Sequence, residues 1–278
     1  MGITILVGLA VAVCWGLPGV ALARATRSVG STATVIGAIA IGLALTFPLA
    51  FFVDLPDISL RGALLILLMG TLTLIGYLVA FSAFRVGKVS VVAPIIACEG
   101  AIAAVIAIAF GESMDQRVLI FLPIAVIGVI LAAMNGSNEG TGGVMRASIA
   151  AIIWGFVLVL AAPVADEVGV VWAFLLVRLV ALLFAIPLGI RAGVTLNARL
   201  DWKNVAIWGV GDSAASLLFV VAADRGPVAL AGVLAAQFAT VGAIAGVLIL
   251  KERLRARQWA GIAIVILSVT AIAAGSAL

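Results

Sequence analysis

The sequence predicts an all-α, polytopic membrane protein of about ten transmembrane helices, arranged as two inverted five-helix repeats. Composition, recurring apolar runs and an internal offset of 139 residues lead to that fold class. Hydrophobic residues occupy 65% of the 278 positions and charged residues 10%, with a mean hydropathy of +1.38. A water-soluble domain of this length needs far more polar surface, so the solvent for most of the chain is lipid. Apolar runs of about 20 residues, enough to cross roughly 30 Å of hydrocarbon as helix, recur along the whole chain. Barrel strands would alternate apolar and polar residues, and these runs do not.

Ten helices are expected at 2–23, 31–53, 62–84, 89–110, 118–135, 146–165, 169–190, 203–223, 228–250 and 258–276. The longest polar connection, Asn135 to Arg146 (NGSNEGTGGVMR), has the Gly, Ser and Asn content of a flexible linker. It separates a first repeat at 1–136 from a second at 145–278. The first run starts almost at Met1 without a basic n-region or a clear cleavage site, so no cleaved signal peptide is expected.

The repeat shows in matched residues. A shift of 139 lays Trp15-Gly16 on Trp154-Gly155, Pro48-Leu49 on Pro187-Leu188, Gly70 on Gly209 and Gly87 on Gly226. One further residue of slip brings Glu112 onto Glu252. Five is an odd number of crossings, so the second copy must sit upside down relative to the first, the usual architecture of alternating-access transporters.

Charge agrees with that topology. The connections after helices one, three, five, seven and nine carry Arg24, Arg27, Arg85, Lys88, Arg146, Arg191, Arg199, Lys203, Lys251, Arg253, Arg255 and Arg257. The alternate connections and the termini carry only Arg61, Arg117 and Arg225. The positive-inside rule places the basic set in the cytoplasm and both termini outside. The net charge of +4 therefore orients the protein rather than binding nucleic acid.

Three ionisable residues lie deep within apolar runs: Glu99 in helix four (APIIACEGAIAAV), Arg178 in helix seven (FLLVRLVALL) and Asp212 in helix eight (WGVGDSAAS). Each costs about 2.5–3.5 kcal/mol at the bilayer centre on insertion scales, so none should face lipid. Helices seven and eight are antiparallel neighbours, which lets Arg178 and Asp212 pair at one depth, either as a ligand site or only to fix helix rotation. Glu99 has no obvious countercharge and suits proton coupling or a cationic group, unless it is a protonated carboxyl bonded to a carbonyl. Gln237 sits nearly at the repeat position of Glu99, as a site residue or a helix-to-helix bond. Trp15 and Trp154, repeat-related and mid-membrane, read equally as ligand contacts or as packing. The candidate substrate-binding set is thus Trp15, Glu99, Trp154, Arg178, Asp212 and Gln237, with no catalytic residue, metal ligand or cofactor expected.

Trp172, Trp202 and Trp259 stand at helix ends and read as interfacial anchors; Tyr77 and Trp208 carry no assignment. Cys14 and Cys98 lie in apolar runs and read as small buried hydrophobes. Gly242-x-x-x-Gly246, and Gly100 among alanines, suggest tight helix packing. Pro18, flanked by Gly16 and Gly19, and Pro94 are places where helices can bend or break.

These residues resemble the drug/metabolite transporter superfamily, and within it the ten-helix EamA-type members. The resemblance rests on Trp15-Gly16 and Trp154-Gly155, on Ala93-Pro94 leading to Glu99, and on Gly111-Glu112 and Lys251-Glu252-Arg253 closing helices four and nine. It covers essentially the full length and implies secondary transport, commonly export, of amino acids, other metabolites or drugs through a cavity between the halves. The chain departs from the family pattern at Gly100, where Pro is usual, and at Ile39, where the first half lacks the counterpart of Arg178. Family members are also often drawn with cytoplasmic termini, opposite to the charge count.

The leading expectation is a secondary transporter in the cytoplasmic (inner) membrane, handling a small zwitterionic or amphipathic solute. Glu99 and Arg178 would meet its opposite charges and the tryptophans its apolar part. The expected partners are that solute and the lipid bilayer, with a homodimer left open and no nucleic acid. An intramembrane enzyme would need a nucleophile with a base or a metal site, and the chain has no histidine. A scaffold or sensor would need a reporting domain, and no connection is long enough to hold a nucleotide-driven motor.

Overall fold

The computed structural model describes residues 2–110, 116–133, 141–194, 201–224 and 234–275, and every regular element among them is helical. The first span is α1 (Gly2–Gly16) followed by α2 (Gly19–Val29). The second is α3 (Ser31–Thr46), tightened into a 3-10 segment at Phe47–Phe52, and the third is α4 (Leu60–Val86). The fourth is again divided, into α5 (Val89–Ile96) and α6 (Glu99–Ala109). α7 (Gln116–Ala133), α8 (Thr141–Val168), α9 (Val170–Arg191) and α10 (Trp202–Asp224) form spans five to eight. The ninth ends in α11 (Phe238–Ile249) and the tenth is α12 (Ala256–Gly275). Leu6–Val29, Ser31–Phe52, Leu60–Val86, Gly142–Val168 and Val170–Arg191 are each long and apolar enough to cross a bilayer on their own.

The breaks have local causes. Proline at position 18 has no N–H to return to the carbonyl of Cys14, so the first span turns over Leu17–Pro18 before α2 resumes. Valine stands at the repeat-equivalent position 157, and α8 runs through unbroken. In the fourth span the ladder tightens after Pro94, with Cys98 N donating to Ile95 O at 3.1 Å. The ninth span does the same at the equivalent place, where Gln237 N donates to Leu234 O at 3.1 Å. Both donors and both acceptors are related by the 139-residue offset, so these are hinges built twice.

The inverted repeat appears in the packing itself. A Cβ on Gly70 would fall 2.7 Å from Val180 Cβ and 3.0 Å from Val177 O; one on Gly209 would fall 3.0 Å from Ile41 Cβ and 3.3 Å from Ala38 O. All three residue pairs differ by 139. The same holds for Gly16 against Val241 (2.6 Å) and Gly155 against Ile102 (2.7 Å). Only glycine permits these crossings. The third span thus packs on the seventh as the eighth packs on the second, and the first on the ninth as the sixth on the fourth. Spans two and seven, four and nine, and five and ten are their own counterparts. Trp15 and Trp154 occupy matching places, one facing the eighth span and the other the third.

One end of the bundle gathers the basic connections. Arg27 donates to Phe84 O, Arg85 O and Gly87 O (3.4, 3.3 and 2.8 Å), satisfying the carbonyls that α4 leaves open at its C-terminus. Arg146 reaches Ser82 O at 3.4 Å, Ser28 bonds Asp201 at 3.3 Å, and Lys88 Nζ donates to Arg253 O. The opposite end joins Ser59 and Arg61 to Glu167 and Trp172 Nε1 to Asp54 O at 2.7 Å. Trp172 is therefore at a helix end, as are Trp202 and Trp259, both well exposed.

Three expectations change. Arg24 and Arg27 are helical, because α2 continues to Val29 with Arg27 held by the carbonyls of α4. Residues 141–146, read as linker, form the start of α8; Gly143 there packs against Gly87 backbone, and the rest of the linker lies outside the described residues. Gly100 marks no close packing, since a Cβ there would meet nothing within 4 Å. Gly242 and Gly246 do face a neighbour, Ala93 and Ser90 of α5. The start of the ninth span, Glu112, Gly226 and Arg225 also lie outside the described residues.

Candidate functional site

Asp212 is the centre of the polar interior. It sits near the middle of α10, and its carboxylate forms an ion pair with Arg178 of α9. Trp15 Nε1 donates to Oδ1 and Tyr77 OH to Oδ2, each at 3.2 Å. Four spans, two from each half, thus converge on one carboxylate.

Arg178 reaches it because α9 and α10 turn their middles toward α3 at Gly42. A Cβ there would stand 3.4 Å from Arg178 Nη1 and 3.1 Å from Ser213 Oγ, so glycine leaves room for the guanidinium. The guanidinium also lies 3.7 Å over the Phe174 ring, a cation–π contact that is strengthened by exclusion of water. Arg178 is 5% exposed, and a lone charge at that depth is strongly unfavourable. Pairing with Asp212 removes most of that cost, though not all of Arg178's hydrogen-bonding capacity is used. Nη1 has no hydrogen-bond partner among the described residues, and the same is true of Thr73 Oγ1 and Trp208 Nε1. Thr73 stands at the repeat position of Asp212, one helical turn from Tyr77.

Aromatic rings surround this group. Tyr77 meets Trp154 edge-on at 5.0 Å and Phe81 at 5.4 Å, and Phe81 meets Trp208 at 5.8 Å. Trp15 lies 6.2 Å from Phe238 and 6.4 Å from Phe219. All but the tilted Trp15–Phe219 pair are edge-to-face, a geometry that holds ring orientation as well as burying area. The arrangement sets several aromatic rings beside a buried ion pair.

Glu99 and Gln237 belong to the two hinges. Glu99 is the first residue of α6, directly after the break, and no hydrogen bond or ion pair within the described residues reaches its carboxyl. Gln237 is engaged: Nε2 donates to Thr270 Oγ1 at 2.9 Å and Oε1 accepts from Thr240 Oγ1 at 3.1 Å. The structure therefore brings Trp15, Arg178 and Asp212 into direct contact and joins Trp154 to them through Tyr77. Among the described residues no hydrogen bond or ion pair joins Glu99 to that cluster, and the side chain of Gln237 bonds Thr240 and Thr270.

The model of the EamA-like transporter family matches residues 2–134 and 141–274, nearly the whole chain in two copies. The chain belongs to the EamA-like transporter family. This EamA-like chain is thus a multi-pass membrane protein of a transporter family within the drug/metabolite transporter superfamily. No curated protein matches it. A crystal structure of a protein at 16% identity superposes with a TM-score of 0.63, covering 97% of this chain and 96% of that one. At that identity the likeness speaks for the fold.

Sequence reasoning left Tyr77 and Trp208 unassigned and did not single out Thr73, Phe81 or Phe174. Tyr77 is the chain's one tyrosine, and its depth in the third span was the available signal. The 139 offset also lays Thr73 on Asp212, a polar residue at a matched depth.

Proposed function

We propose that this EamA-like protein is a secondary transporter that exports a small amphipathic metabolite, amino acid or drug-like solute across the cytoplasmic membrane by alternating access. The observation that carries this reading is the convergence of Trp15, Tyr77 and Arg178, contributed by both halves, on the carboxylate of Asp212 near the middle of α10. A site shared between inverted halves changes its exposure when the halves rock, which is what alternating access requires. The aromatic wall takes the apolar part of the solute. A solute carboxylate would compete with Asp212 for Arg178, and an amine would find Glu99 uncompensated. Glu99, placed at a hinge without a hydrogen-bond or ion-pair partner among the described residues, is the group assigned to proton exchange.

A thermal-shift screen against amino acids, metabolites and drug-like amines comes first, because ligand at about 100 times its Kd stabilises a folded protein by roughly 2.7 kcal/mol. Solutes that stabilise the protein are then followed by counterflow in proteoliposomes. Glu99→Gln keeps the side chain's shape but cannot exchange a proton, so it should unfold at the wild-type temperature and lose proton-driven transport by about tenfold or more. Normal proton-driven transport by Glu99→Gln would remove Glu99 from the mechanism. If no solute both stabilises the protein and is carried, the transporter reading itself fails.

The orientation follows from the basic end. With that end in the cytoplasm, both termini are outside. A fluorescent protein fused after Leu278 should then stay dark and a periplasmic phosphatase fused there should be active. The reverse pattern would place the basic end outside, with the repeat unaffected.

A further inference from the structure

The basic end is closed across the halves by a contact outside the site already described. The loop from Leu250 to Arg255 joins α11 to α12, and Glu252 in it reaches the start of α5 in the other half. Its Oε1 accepts from Val89 N at 2.8 Å; its Oε2 accepts from Ser90 N at 2.9 Å and from Ser90 Oγ at 2.5 Å. α5 has no cap of its own: Lys88 precedes it, and a lysine side chain cannot accept a hydrogen bond. The carboxylate of Glu252 supplies the missing acceptors at the positive end of the helix, where an anion is most favoured.

The surrounding backbone is shaped for this contact. Lys251 adopts φ +54°, a left-handed conformation unusual outside glycine, and it turns the loop so that Glu252 points back at α5. Glu252 N is anchored to Gly246 O at 3.2 Å. A Cβ on Gly246 would fall 2.6 Å from Glu252 Oε2 and 2.7 Å from Ser90 N, so only glycine lets carboxylate and helix start meet there. Lys88 Nζ returns a bond from the first half to Arg253 O. All these contacts join spans four and nine on the basic side of their hinges.

We propose that Glu252 is the latch of a gate at the basic end: it holds α5 against the α11–α12 loop, and its release lets spans four and nine part. This rests on the reading of the protein as an alternating-access transporter. Hinges at Cys98 and Gln237 then let α5 and α11 swing while α6 and the tenth span stay in place.

Amide hydrogen exchange of the full-length protein in nanodiscs, read by mass spectrometry, tests the latch without a solute. In Glu252→Ala the amides of Val89 and Ser90 should exchange about tenfold faster or more, as expected for loss of a local closing contact. The acceleration should extend to the amides around the Ala93–Gly242 and Gly87–Gly143 contacts, because the halves separate. Ser90→Ala, which removes only the hydroxyl contact, should give the same pattern at smaller amplitude, and α7 should not change in either variant. Faster exchange confined to Val89 and Ser90 would make Glu252 a helix cap and nothing more, overturning the gate. Unchanged exchange would overturn the latch altogether. Uniform acceleration including α7 in both variants would show that the contact serves general stability, also against the proposal. A latch that opens in a protein that carries no solute would count against the transport reading and leave the latch standing.

Discussion

Asp212→Ala should destabilise the protein by about 3–5 kcal/mol, because it leaves Arg178 charged and unpaired among apolar side chains. Arg178 is 5% exposed, and its guanidinium is wedged between Phe174 and Gly42. The same substitution strips Trp15 Nε1 and Tyr77 OH of their shared acceptor at part-buried positions. Chemical unfolding in detergent measures the loss. The companion experiment is the double variant Arg178→Met with Asp212→Leu, in which both charges go together. It should recover most of the stability, since apolar replacement of a buried pair is often neutral or better. It should not recover transport. A double variant as unstable as Asp212→Ala alone would show that the carboxylate matters through Trp15 and Tyr77 rather than through the arginine.

The ion pair was legible in the sequence because its logic is one-dimensional. Two opposite charges near the middles of consecutive antiparallel helices must lie at similar depth, whatever surrounds them. The inverted repeat was legible for a similar reason: glycines at 70 and 209 mark crossings that recur with the offset, and the crossings themselves proved repeat-related. Tyr77 was not legible. Its role depends on the third span lying against spans six and seven with Asp212 of the eighth in reach, and apolar composition alone does not order ten helices around an axis. Pro18 and Pro94 were visible as places of weakness, yet the hinge at Gln237 has no proline among the described residues and appears only in its tightened hydrogen bonds. That no ion pair among the described residues joins Glu99 to Arg178 was equally hidden, because depth fixes one coordinate of three.

The central claim is that the halves part at the basic end during each cycle, and a reversible lock there tests it most directly. Spans four and nine cross where a Cβ on Gly242 would stand 3.0 Å from that of Ala93. Disulfides need roughly 3.5–4.5 Å between Cβ atoms, so a small outward shift accommodates one. Ala93→Cys with Gly242→Cys, in a background where Cys14 and Cys98 are alanine, should therefore cross-link on oxidation. Counterflow in proteoliposomes, with a solute found by stabilisation, is measured before oxidation, after it, and after reduction. Transport is expected in the reduced protein, with loss of essentially all of it when cross-linked and recovery with reductant. Undiminished counterflow by protein that is fully cross-linked would mean that spans four and nine never separate there, and the alternating-access account would be wrong.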